Sequence, residues 1–137
     1  MRYALDSNTV VAALNGDARV ARRLDPLSPS DVILPAIVLA ELFYGARHSG
    51  RRDANHARVN GLAQSVTVAP FGAAEAERFG FLKAALAEAG RMKADVDLLI
   101  AATALVSGAI LVTDDRSLHD TAIPGLRVEN WLAGSQG

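Results

Sequence analysis

Several acidic residues stand where a carboxylate is costly. Asp6 follows the apolar Tyr3-Ala4-Leu5, and Glu41 is the one charged residue between Val32 and Ala46. Asp97 opens a long apolar stretch, and Asp114 and Asp115 follow the uninterrupted Ile110-Leu111-Val112-Thr113. Carboxylates packed together repel one another and raise each other's pKa. A divalent cation removes that penalty, and an all-oxygen ligand set favours Mg²⁺ or Mn²⁺ over zinc. Such a centre activates water and stabilises an in-line displacement at phosphorus. Each position also has a plain structural reading. Asp6 is a good helix cap, Asp97 suits the first turn of a helix, and Asp114 and Asp115 suit a turn. Glu41 needs an Arg partner, a metal or a cleft if its helix is buried, as its apolar surroundings predict.

Other chemistries find little footing. There is no Gly-rich phosphate loop and no Gly-x-Ser-x-Gly elbow. Cysteine is absent, which excludes a disulfide scaffold, a Cys-based zinc site and a thiol nucleophile. It also suits a reducing compartment. His48, His56 and His119 lack metal-ligand spacing, and His48 and His56 read as surface residues.

The elements that must carry these residues alternate. Strands are predicted at Arg2–Leu5, Val32–Leu34, Val66–Val68, Ile110–Thr113 and, more weakly, Leu126–Val128. Helices are predicted over Ser7–Leu14, Asp17–Leu24, Pro35–Ala46, Asp53–Ala63, Ala73–Ala89 and from Asp95 or Val96 to Ser107. Pro26 to Ser30 reads as a loop. Short apolar strands separated by helices imply an α/β fold with a parallel sheet covered on both sides. In such a sheet the crevice outside the strand carboxyl ends binds ligands. Asp6 and Asp115 end two strands at that edge.

The 137 residues are expected to form one domain, 1–137. Half are hydrophobic and 21% charged, which excludes intrinsic disorder. No stretch approaches the roughly 20 apolar residues of a membrane span, and the first residues do not read as a signal peptide. A cytoplasmic protein without membrane partners is the expectation. Fourteen Lys and Arg against fifteen Asp and Glu give a net charge of −1, so any nucleic-acid binding must rest on a local patch.

Together these residues resemble a known pattern. Leu5-Asp6-Ser7-Asn8 looks like the opening of a PIN domain, and Pro35 to Ala46 like its Glu-bearing helix. Asp97-Leu98-Leu99-Ile100-Ala101-Ala102 and Leu111-Val112-Thr113-Asp114-Asp115-Arg116 match its third and fourth acidic blocks. Pro124 to Leu132 is similar to the tail of VapC-type toxins. The resemblance covers essentially the whole chain. It implies a three-layer α/β/α sandwich around a parallel sheet of four to five strands. It implies a Mg²⁺- or Mn²⁺-dependent endoribonuclease that forms homodimers and is inhibited by a cognate VapB-type antitoxin. By position, Asp6, Glu41, Asp97 and Asp115 are the catalytic and metal-binding acids. Ser7, Asn8 and Thr113 would orient carboxylates or water. The family often has an acidic residue and Phe two and three places after the fourth acid, where this chain has Ser117 and Leu118. Asp114 is therefore a substitute for the missing fifth acid, or an alternative ligand to Asp115.

An acidic crevice repels RNA, so basic surface must compensate. Arg47 to Arg58 holds Arg47, His48, Arg51, Arg52, His56 and Arg58 against the single acid Asp53. Arg47, Arg51 and Arg52 are the candidate RNA contacts; a solvated helical face is the plain alternative. Arg19, Arg22 and Arg23 form a smaller group. Phe81 points away from the Phe79, Leu82, Leu86 stripe and is the candidate interface residue. Two rival readings are an Asp-based phosphoryl-transfer enzyme, which usually has a second Asp where this chain has Asn8, and a non-catalytic binding partner, which has no need of four costly carboxylates.

Overall fold

The computed structural model describes residues 1–120 and 123–133; the rest of the expected 1–137 span lies outside the described residues. Among the described residues five strands form one parallel sheet: β1 (Arg2–Leu5), β2 (Val32–Pro35), β3 (Thr67–Ala69), β4 (Ala109–Val112) and β5 (Val128–Glu129). Their order is β3-β2-β1-β4-β5. Chain order runs outward from β1 through β2 to β3, then restarts on the other side with β4. The switch point lies between β1 and β4, where Leu5 pairs with Val112. Every residue of β2 and β4 is buried, as expected of strands covered on both faces.

Among the described residues seven helices flank the sheet: α1 (Ser7–Leu14), α2 (Ala18–Leu24), α3 (Ala36–Arg47), α4 (Arg52–Ser65), α5 (Ala73–Glu88), α6 (Asp95–Val106) and α7 (Arg116–Asp120). α5 packs on α6, α3 on α4, and α1 against both α2 and α3. This is the expected α/β/α architecture. The core joins Ile33, Leu34 and Leu111 of the sheet to Val10, Val38, Leu82 and Leu98 of the helices. Each such side chain contributes about 1.5–3 kcal/mol on leaving water. Ala101, Ala102 and Ala104 let α6 lie close to the sheet while buried on several sides. Gly16 and Gly108, at φ +78° and +66°, supply the left-handed turns that end α1 and α6.

Several boundaries differ from expectation. β3 and β4 are displaced by one residue, β5 is Val128–Glu129 rather than Leu126–Val128, and α4 extends past both predicted ends. Within the predicted Pro26–Ser30 loop a 3₁₀ turn begins and runs over Pro29–Asp31, tied by Ser28 and Asp31. Asp114 and Asp115 suit a turn by sequence, yet Asp115 starts α7, with its Oδ1 accepting the backbone N–H of Ser117 at 2.9 Å. α3 is not buried all round. Val38, Leu42 and Ala46, four apart, face the core, while Ala40, Glu41, Tyr44 and Gly45 are exposed. Its apolar sequence reflects Ala40, Gly45 and an exposed Tyr44 on the outer face rather than full enclosure.

The carboxyl-terminal segment is fastened beside β1 and α2. Trp131 is buried against Tyr3, and its indole N–H donates to Glu129. Arg23 pairs with Glu129 at 2.7 Å and lies over the Trp131 ring. Arg19 pairs with Asp17 and donates to the Leu132 carbonyl. Arg19 and Arg23, grouped by sequence with Arg22 as a second basic patch, are thus occupied with Asp17, Glu129, Trp131 and Leu132.

Candidate active site

Asp6 is both cap and wall. As the N-cap of α1 its Oδ1 accepts the Thr9 backbone N–H at 3.1 Å and the Thr9 hydroxyl at 3.0 Å. Its Oδ2 accepts the hydroxyl of Thr113 at the end of β4. Thr113 Oγ1 in turn accepts the backbone N–H of Asp115 at 3.1 Å. One buried threonine hydroxyl therefore spans the switch point and ties the acid after β1 to the one after β4. The cap reading and the site reading of Asp6 hold together.

The resulting recess, of about 350 Å³, is lined by Asp6, Ser7, Asn8, Glu41, Asp97, Ile100, Asp114 and Asp115. The structure thus brings the acids of four separate segments to one hollow at the carboxyl edge of the sheet. Glu41 is exposed, not a buried ion-pair partner; its Oε1 accepts the Ser7 hydroxyl at 2.5 Å. Asn8 donates to Asp114 Oδ1 at 3.2 Å, so Asp114 lies at the rim, tied to α1. Asp97 sits in the first turn of α6, where both the helix end and the recess act on it.

The electrostatics follow from this crowding. Burial raises the Asp6 pKa, against hydrogen bonds from Thr113 and Thr9 that pull it down, with Asp114 adding repulsion. Burial also raises the Asp97 pKa, and Asp115, Glu41 and Asp6 add their negative charge. Among the described residues no three Asp, Glu or His side chains already stand together as a closed metal cage. An ion such as Mg²⁺ does not need one. It keeps several waters and is commonly held by one or two carboxylates plus substrate phosphate oxygens. The mutual repulsion felt at Asp97 and the all-oxygen lining fit that kind of ion.

Two contributors lack a motif that marks them. Thr9, at the third position of α1, orients Asp6 by a cap geometry common to many helices. His119, on α7, has a ring nitrogen 2.7 Å from the Thr113 carbonyl and so braces the residue that joins Asp6 to Asp115. Arg47, Arg51 and Arg52 do not enter the recess. They line a separate open hollow with Ser49, Gly50 and Asp53, where α3 gives way to α4. His48 and His56 are exposed, as expected, and lie against the rings of Tyr44 and Phe43.

The chain is similar to known proteins over nearly its whole length. A model of the PIN domain matches residues 3–124. The chain is 29% identical over 131 residues to the tRNA(fMet)-specific endonuclease VapC of Shigella flexneri, covering 96% of this chain and 98% of that protein. It is 31% identical to the ribonuclease VapC2 of Haemophilus influenzae, covering 96% and 99%. Among solved structures, a chain of DNA-bound VapBC from Salmonella typhimurium superposes with a TM-score of 0.86 at 30% identity, covering 96% and 98%. A chain of VapBC2 from Rickettsia felis, bound to a fragment of its promoter DNA, does so at 0.85 and 31%, covering 96% and 99%.

Proposed function

The chain belongs to the PIN-domain family, among its VapC-type members, and from that premise we propose that it is the toxin of a type II toxin–antitoxin pair, a divalent-metal-dependent endoribonuclease. The observation that carries this reading is the single recess at the β1–β4 switch point, lined by Asp6, Glu41, Asp97 and Asp115. The relatives are named as ribonucleases, and their solved complexes are VapBC assemblies; a cognate VapB-type antitoxin is the partner we assign to this chain. A homodimer is the proposed assembly, with the exposed Phe81 in the interface.

Asp6, Asp97 and Asp115 would hold Mg²⁺ or Mn²⁺. Such an ion, when bound, supplies an activated water and charge neutralisation at the phosphate. The chain's own residues do the rest. Thr113 and Thr9 fix the two oxygens of Asp6. Ser7 orients Glu41 through Oε1, leaving Oε2 to take the proton of the attacking water. Ile100 gives the recess one apolar wall. Water adds to phosphorus as the bond to the 3′ oxygen breaks; the water's proton goes to Glu41, and the leaving 3′ oxygen takes a proton from solvent water. The products carry a 5′-phosphate and a 3′-hydroxyl, and the 2′-hydroxyl takes no part. A substrate with a 2′-deoxy nucleotide at the cut site is therefore still cleaved. Cyclic 2′,3′-phosphate ends would contradict this mechanism. Asn8 donates to Asp114 where a phosphoryl-transfer enzyme would place its second acid, which leaves that rival without support.

A further inference from the structure

Ser7 and Glu41 face two hollows. One is the acidic recess; the other is a pocket of about 310 Å³ between α1, α3 and α4. Its size is at the lower end of the roughly 300–1,000 Å³ usual for small-ligand sites. Val11, Leu14, Leu42 and Val59 make its apolar lining, and Asn15, Asn55 and Arg58 bring polar groups to it. The Arg58 guanidinium is held by three oxygens. It donates to the Leu14 carbonyl, to Asn15 Oδ1 at 3.4 Å and to Asn55 Oδ1 at 3.5 Å. Asn55 is itself held by Ser49 at 2.8 Å. Just before Asn55 in the chain, Arg47, Arg51 and Arg52 form no ion pair among the described residues.

We propose that this pocket is the base subsite of the nuclease, taking one unstacked nucleobase beside the scissile phosphate against the plane of Arg58, with Arg47, Arg51 and Arg52 receiving the backbone phosphates beyond it. The inference rests on the ribonuclease reading above. Three features point to RNA as the occupant. The shared wall of Ser7 and Glu41 puts the pocket next to the carboxylates, as a base lies next to its own phosphate. No aromatic ring lines it, and a fixed guanidinium is the other flat surface on which unstacked RNA bases lie. Asn15 Nδ2 donates to nothing among the described residues and is free for a base edge. The unpaired arginines then supply the positive charge that the acidic recess lacks. An apolar protein segment would use none of these charges.

Gly45 allows a clean test. It faces the pocket from α3, and a side chain there meets no atom within 4 Å of its Cβ. Gly45→Leu fills the pocket, replaces no carboxylate and exchanges glycine for a better helix former. Arg58→Lys keeps the charge and removes the plane. Cleavage is measured on loop RNAs in which each nucleotide in turn is made abasic. With wild type, one abasic position next to the cut lowers kcat/KM about tenfold. Gly45→Leu and Arg58→Lys lower kcat/KM on intact RNA similarly and no longer respond to that position. If Gly45→Leu keeps the wild-type abasic profile, the proposal is overturned, and the pocket falls to a protein partner. If wild type cuts no RNA, the ribonuclease reading fails separately. Fluorescence anisotropy of the same RNAs on Asp6→Asn protein, with and without Gly45→Leu, then reads base-dependent binding alone; equal affinities would again overturn the subsite.

Discussion

Asp6 and Asp97 are held at a cost that the proposed cation would relieve. Burial and neighbouring acids raise both above the ordinary value of 3.8. The folded state then binds their protons more tightly than the unfolded chain does. Metal-free protein therefore loses stability as pH rises from 3.8 through the raised values, and keeps that loss above them. Asp97→Asn is expected to raise the thermal midpoint at neutral pH in chelator, while cleavage falls below about a hundredth of wild type, since even outer residues of a metal site are worth about 10–100-fold. Added Mg²⁺ should lift the wild-type midpoint more than the variant's. A midpoint that falls in Asp97→Asn would show that Asp97 is under no net repulsion. Thr113→Val tests the tie between Asp6 and Asp115. It keeps the shape, loses the hydroxyl and should lower activity about 10–100-fold.

At the scale of elements, the recess depends on α6 and β4 being seated. Leu98 is fully buried beside Asp97. Leu98→Ala is expected to cost about 2–5 kcal/mol in urea unfolding. A loss under about 1 kcal/mol would mean α6 is not anchored as described. These elements were legible because β1, β2 and β4 are apolar runs bounded by turn residues, and because α5 carries Phe79, Leu82 and Leu86 at helical spacing. The acids were legible for a related reason: a charge in an apolar run is conspicuous. What was not legible required contacts between distant segments. α3 reads as buried because alanine and glycine count as apolar, yet its Glu41 face is open. Arg19 and Arg23 read as a free basic patch until Asp17, Glu129 and Trp131 meet them. α7 is short, and the Asp115 cap that starts it also reads as a turn.

Over the whole molecule, a net charge of −1 means that the proposed RNA binding needs a local basic patch. On the proposed function the phosphates are met by Arg47, Arg51 and Arg52, which are exposed. Replacing all three by Ala should weaken RNA binding and flatten the fall of log affinity with log salt. The expected change in slope is about 0.7 for each phosphate of a single strand that is no longer neutralised. An unchanged slope would place the phosphates elsewhere. Assembly is a separate matter. Phe81 is 65% exposed on α5, outside the core stripe. Phe81→Glu is expected to shift the mass measured by light scattering from dimer to monomer, and an unchanged dimer mass would exclude this face.

On the function proposed for this chain, acids from four segments act as one metal-dependent ribonuclease site. Cleavage of end-labelled total RNA by the purified protein, with Mg²⁺ or Mn²⁺ and with chelator, beside Asp6→Asn, tests this without intermediaries. Discrete fragments that require both the cation and Asp6 are predicted. Fragments that persist in chelator or with Asp6→Asn, or protein that neither cuts RNA nor binds a divalent cation, would contradict it.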